Sequence, residues 1–136
     1  MTKIMIGVLV FPNFQLLDAA GPISVFEIAA RLTGQPPSIK VMAETPGPVR
    51  SSSGVELLAR SLKAAGAIST LIVAGGMGVD AAATCRKTLA FVRAAAALAL
   101  PGHDAGRYLL QAGQELRRFL FREGTQQGFE FGVDRQ

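Results

Sequence analysis

The sequence predicts an α/β domain built on a mostly parallel sheet, and three observations carry that reading. The apolar run Ile4, Met5, Ile6, Val8, Leu9 and Val10 leaves no polar face, as a strand covered on both sides requires. A stretch with helical spacing and then a second short strand follow it, the order of a right-handed strand, helix, strand crossover. Further on, Leu71, Ile72 and Val73 run straight into a glycine cluster, as a buried strand does where it turns towards a helix.

Size and charge set the outer limits. A chain of 136 residues, 49% hydrophobic and 18% charged, is one domain able to bury an ordinary core. Its net charge of +4 and pI near 9.8 arise from scattered basic residues such as Lys3, Arg31, Lys40, Arg60 and Lys87. They form no run or stripe, so direct nucleic-acid binding is not expected. The one cysteine excludes an internal disulfide. The first apolar run is too short for a membrane span and lacks a small-residue cleavage site, so the expected compartment is the cytoplasm, with no membrane partner.

The first strand is the central one, and it breaks at Pro12 and Asn13, which do not continue a ladder easily. The loop that follows lies past the carboxyl end of a strand, where open α/β sheets bind ligands, and it carries Asp18 as the first candidate for chemistry. Gly21 and Pro22 fit the opening turn of a helix. Ile23, Phe26, Ile28, Ala29 and Leu32 give that helix its packing side, and Gly34 with Pro36 and Pro37 ends it. Residues 38–43 alternate and predict a second strand near the sheet edge, with Lys40 towards water.

Residues 44–53, dense in proline, glycine and serine, predict an irregular surface excursion, and residues 54–58 a brief strand or hairpin arm. Residues 61–66 read as a single helical turn, and residues 67–74 as the next buried strand. Gly75, Gly76, Met77 and Gly78 follow. Such a cluster either aims N–H groups at an anion or carbonyl oxygen or relieves steric crowding in a strand-to-helix turn, and residue pattern alone leaves both open.

From Asp80, a plausible cap, strong helix formers run almost unbroken to Pro101 and Gly102. Cys85, Leu89, Val92 and Ala96 share one apolar face of that helix, which makes Cys85 a small buried hydrophobe rather than a nucleophile, because a reactive thiolate needs a cationic, partly open setting. His103, the one histidine, sits in a turn and is expected in an exposed loop. Leu109, Ala112, Leu116 and Phe119 or Leu120, with Glu115 placed to pair Arg118, predict an amphipathic helix over residues 108–122 that includes Tyr108. Phe129, Phe131 and Val133 permit a short terminal strand or a frayed end.

Together the first strand, the segment FPNFQLLDAAGPISVFE, the PVRSSSG segment and LIVAGGMG resemble the ThiJ/PfpI superfamily of class I glutamine amidotransferase-like domains. The likeness is to the domain at the amino end of AraC-type transcription regulators and to isocyanide hydratases, and it covers about residues 3–97. The resemblance implies a flavodoxin-like sandwich, usually dimeric. It puts Asp18 on the acidic position that supports the nucleophile in the group's enzymes, and Gly75 and Gly76 on the turn whose amides face the site.

The chain departs from the family where chemistry would be decided. Members continue into a buried strand ending in a sharp turn with a cysteine, then a small or hydroxyl residue, then glycine, whereas no cysteine follows Ala97 here. The expectation is a sheet cut short after its third or fourth strand, with the edge at residues 71–73 left for the tail helix or a second subunit to shield. A truncated or frame-shifted family member and a divergent carboxyl end both fit.

The sequence therefore predicts a ligand-sensing or interaction domain without chemistry, binding a small molecule through Asp18, Gly75, Gly76 and Met77. No metal or cofactor is expected, and a homo-oligomer is. The alternative is a hydratase or hydrolase of the isocyanide hydratase kind, with Asp18 catalytic.

Overall fold

A computed structural model describes residues 5–36, 38–98 and 108–112, of which residues 98 and 108–112 are described by backbone alone. Strand β1 (Ile6–Leu9) is central, as its two-sided apolar pattern requires. It pairs in parallel with β2 (Ile39–Ala43) on one side and with β5 (Thr70–Ala74) on the other. Beyond β2 lie β4 (Glu56–Ser61), parallel to it, and β3 (Gly47–Arg50), antiparallel to β4. A sixth strand, β6 (Tyr108–Ala112), pairs in parallel with β5, giving the order β3-β4-β2-β1-β5-β6 among the described residues.

The core follows from the pattern of apolar residues. Val8, Leu9, Val10, Met42, Leu71, Ile72 and Val73 are buried at its centre, and Phe14 and Val92 close it from the flanks. Helix α1 (Leu16–Leu32) joins β1 to β2, and α2 (Val79–Thr84) with α3 (Arg86–Leu98) joins β5 to β6. These crossovers move in opposite directions along the sheet, so right-handed connections put α1 and α3 on opposite faces.

Several sequence expectations change here. The predicted helix over residues 108–122 is a strand over its first five residues, Tyr108 included, and its remainder lies outside the described residues, as do His103 and the terminal strand. The physical reason is β5. All five of its residues are buried, and the amides and carbonyls on its second edge need ladder partners that a helix cannot supply. The edge at Leu71 to Val73 is accordingly closed by Leu109, Leu110 and Gln111 rather than left open.

Residues 47–50 are a strand despite their proline, because β3 is the outermost strand and Pro48, exposed there, forfeits no interior ladder bond. That hairpin also leaves β2 well inside the sheet, not near its edge. Lys40 does not simply face water. Its Nζ donates to the carbonyls of Ala64 and Ala65 at 3.1 and 3.3 Å, tying β2 to the 3-10 turn Leu62–Ala64.

Helix α1 begins at Leu16, five residues earlier than Gly21 and Pro22 suggest, so Pro22 sits inside it. Buried Phe14, and the Gln15 N–H donated to the Gly75 carbonyl at 2.8 Å, fix where the chain enters that helix. Ile23 and Phe26 pack on the core as expected, but Ile28 and Leu32 are exposed. The long helix after Asp80 is two helices. Thr84 turns its hydroxyl back to the Ala81 carbonyl at 2.8 Å, a local bond that competes with helix continuation, and Cys85 is extended at φ −72°, ψ 114°. Asp80 lies in the first turn of α2 rather than capping it, the cap position being Gly78.

Candidate functional site

Three segments meet around the exit from β1: the loop of residues 11–15, the β3–β4 turn of residues 51–54, and the turn of residues 75–78 after β5. Asn13 holds the junction with a left-handed backbone, φ 63°, which asparagine tolerates better than most residues. Its N–H donates to the Arg50 carbonyl at 2.9 Å, and its own carbonyl accepts from the Gly78 N–H at 3.1 Å. Phe14, fully buried, accepts at its carbonyl from the Ser52 N–H at 3.0 Å.

Asp18 lies in the first turn of α1, half-buried, rather than ahead of the helix. Its Oδ2 accepts from the Gly75 N–H at 2.9 Å. The structure thus brings Asp18 and Gly75 together, and it assigns that amide a partner from within the chain. An ionised carboxylate accepting from a buried backbone N–H is a strong form of the bond, and here it ties the start of α1 to the end of β5.

The glycines around it answer the question the sequence leaves open, and the answer is largely steric. Gly76 has φ 117°, and a Cβ there would lie 2.5 Å from the Gln15 nitrogen and 3.1 Å from the Asn13 carbonyl oxygen. A Cβ on Gly78 would run into the Pro12 carbonyl oxygen. Two backbone segments therefore approach closer than any side chain allows. Met77, between these glycines, is 86% exposed.

Cys85 stands at the α2–α3 junction, half-exposed, not on a buried mid-helix stripe. Hydrogen bonds from the Thr88 side chain and then the Thr88 N–H hold its thiol below the usual cysteine range. Burial opposes them, the Lys87 N–H assists them, and the Glu44 carboxylate opposes them weakly. Its carbonyl accepts from the Leu89 N–H at 2.9 Å, so it acts as the entry residue of α3. Among the described residues no group of three or more His, Cys, Asp or Glu is placed to hold a metal ion.

Sequence reasoning missed the β3–β4 turn. Ser51 is buried, and its hydroxyl lies 2.8 Å from that of Ser53, while Gly54 takes φ 89° to close the turn. The available signal was three serines and a glycine after an exposed proline strand, a pattern that reads equally well as solvent-facing loop.

No family model and no curated protein matches the chain. Solved structures do. A ThiJ/PfpI family protein from Pseudomonas syringae superposes with TM-score 0.59 at 25% identity, over 82% of this chain and 42% of that one. A DJ-1 superfamily protein from Salmonella typhimurium gives 0.62 at 20% identity, over 86% and 59% respectively. An AraC family transcriptional regulator from Pseudomonas putida gives 0.50 at 21% identity, over 55% and 48%. The chain has the ThiJ/PfpI/DJ-1 fold. It spans about half the length of these solved relatives. The flavodoxin-like α/β architecture implied by the sequence resemblance is borne out by these matches and by the parallel core of the sheet. No helix among the described residues is long and apolar enough to cross a membrane.

Proposed function

We propose that this ThiJ/PfpI/DJ-1 domain is a ligand-sensing or interaction module without chemistry of its own, taking a small polar molecule at the junction of Asp18, Gly75, Gly76 and Met77. The observation that carries the reading is the bond from the Gly75 N–H to Asp18 Oδ2 at 2.9 Å. It commits the acidic side chain and the first turn amide to each other, whereas a covalent mechanism needs a nucleophile for the carboxylate to assist. The one thiol of the chain is engaged instead by Thr88. The likeness to part of an AraC family transcriptional regulator supports a role in transcription regulation, with the domain as its sensing half.

A thermal-shift screen of small amides, nitriles and amino-acid derivatives tests the reading. A ligand at a hundred times its Kd adds about 2.7 kcal/mol of stability, a readily measured rise in Tm. Absence of any stabilising compound across such a screen would sink it. A second reading, a hydratase or hydrolase using Asp18, is favoured by the lowered and half-exposed Cys85 thiol. Turnover of isonitriles or α-oxoaldehydes that disappears in Asp18→Asn would establish that reading in place of the first.

A further inference from the structure

The turn between β3 and β4 gathers hydrogen-bond donors that the fold does not use. Ser51 is buried, and its hydroxyl has one partner, that of Ser53 at 2.8 Å. A buried O–H left without an acceptor is costly, so Ser51 donates and Ser53 Oγ accepts. That order leaves the Ser53 hydroxyl hydrogen free, on an exposed residue. The Ser52 N–H donates to the Phe14 carbonyl and the Gly54 N–H to the Ser51 carbonyl, but the Ser53 N–H has no acceptor among the described residues.

Arg50 lies over the same turn. Its Nη2 stands 3.2 Å from where a Cβ on Gly54 would be, so the guanidinium folds back across Gly54, one residue on from Ser53. Glu56 faces Arg50 in the hairpin register, yet the two make no ion pair, and Arg50 has no carboxylate partner among the described residues. The Arg50 carbonyl accepts from the Asn13 N–H, which fixes the base of the side chain against the loop after β1.

We propose that this turn binds the phosphate group of a small phosphate monoester, held by the Arg50 guanidinium and by Ser53. The donor set selects the class. The planar fork of a guanidinium takes two oxygens of an anion, which exhausts a carboxylate, whereas a phosphate offers a third oxygen to the Ser53 hydroxyl or N–H. Gly54 permits the arrangement, because a side chain there would meet the guanidinium. The net charge of +4 adds attraction, and Glu56 opposes it. With one cation open to water the site is weak, with a Kd for inorganic phosphate of about 1–10 mM.

Proton–nitrogen NMR of the full chain, titrated at constant ionic strength with inorganic phosphate to about 50 mM, decides the matter. The Ser53 and Gly54 amides should shift along a saturating curve. Acetate and dimethyl phosphate, the latter standing for a polynucleotide backbone, each have only two free oxygens and should bind at least about threefold more weakly. Arg50→Gln should weaken phosphate binding at least about fivefold, and Arg50→Lys, which keeps the charge but not the fork, should weaken it less. Arg60→Gln, exposed on β4, should change nothing. These substitutions leave the backbone bonds of the turn in place, so unchanged amide signals elsewhere report an intact fold. Linear shifts that chloride reproduces, a site equally open to acetate or dimethyl phosphate, or phosphate binding indifferent to Arg50→Gln would overturn the proposal.

Discussion

Replacing Gly78 with alanine isolates the close approach on which the candidate site is built. Gly78 has φ −81° and ψ 0°, a conformation open to alanine, so backbone preference contributes little to the outcome. The added Cβ, however, would run into the Pro12 carbonyl oxygen, 3.0 Å from its carbonyl carbon and 3.1 Å from Phe11 Cδ2. Backbone cannot swing aside like the end of a long side chain, so the two segments must part. Parting them strains the Gly78 N–H bond to the Asn13 carbonyl, now 3.1 Å. Overpacking costs about 1–3 kcal/mol, and a lost hydrogen bond about 0.5–1.5 kcal/mol. At about 3 °C of Tm per kcal/mol for a chain of this size, the fall should be roughly 5–14 °C. Gly34→Ala is the matched control: it has nothing within 4 Å of the new Cβ but a left-handed φ of +69°, so it should cost only about 1–2 kcal/mol. Urea melts of both variants give the comparison. A Gly78→Ala change within about 0.5 kcal/mol of wild type would refute the steric account of the glycine turn.

Asp18→Ala removes a carboxylate acceptor and strands the buried Gly75 N–H, so urea unfolding should show a loss of about 1.5–3 kcal/mol. Asp18→Asn, which keeps an acceptor oxygen, should lose clearly less. Phe14→Ala, emptying a fully buried site where the loops meet, should cost about 3–5 kcal/mol in the same assay. Cys85 should react with iodoacetamide at lower pH than a free thiol, and Thr88→Val, which deletes the hydroxyl that contributes most, should move that profile upwards. Because the folded thiol titrates below the unfolded one, its contribution to stability is complete above the unfolded value and is lost as pH falls through the folded value.

How much of this was legible depends on where each residue's partners lie. β1 and β5 were plain because burial on two faces is written locally, in consecutive apolar residues such as Leu71, Ile72 and Val73. The end of β2 and the turn at Ser61 were also local matters. The strand at Tyr108–Ala112 was not, since Leu109, Ala112 and Leu116 recur at helical spacing, and the β5 edge that fixes residues 108–112 as a strand is more than thirty residues away. A ladder requirement of that kind outranks intrinsic preference. Pro48 misled for the same reason: it argues against a strand unless the strand is known to be outermost. At the site, Asp18 and the glycines were visible as residues, but their engagement with each other was not, and the contact of Ser52 with Phe14 carried no sequence signal.

The same distinction bears on the proposed function. A carboxylate at the carboxyl end of a central strand can serve a nucleophile, a ligand or the fold, and its position cannot separate these. Its partner can. The Gly75 N–H holds Oδ2 at 2.9 Å, so any ligand that uses Asp18 must either share the carboxylate through its second oxygen or displace a bond that also positions α1. Displacement would loosen the junction of α1 with the turn after β5, at the end of the helix that carries exposed Leu17. A ligand bound through the second oxygen would instead leave the junction intact and add to it. The two cases differ in sign. Hydrogen exchange at the Gly75 amide should accelerate on binding in the first and slow in the second, and a ligand that raises Tm while leaving that amide unaffected would place its site elsewhere.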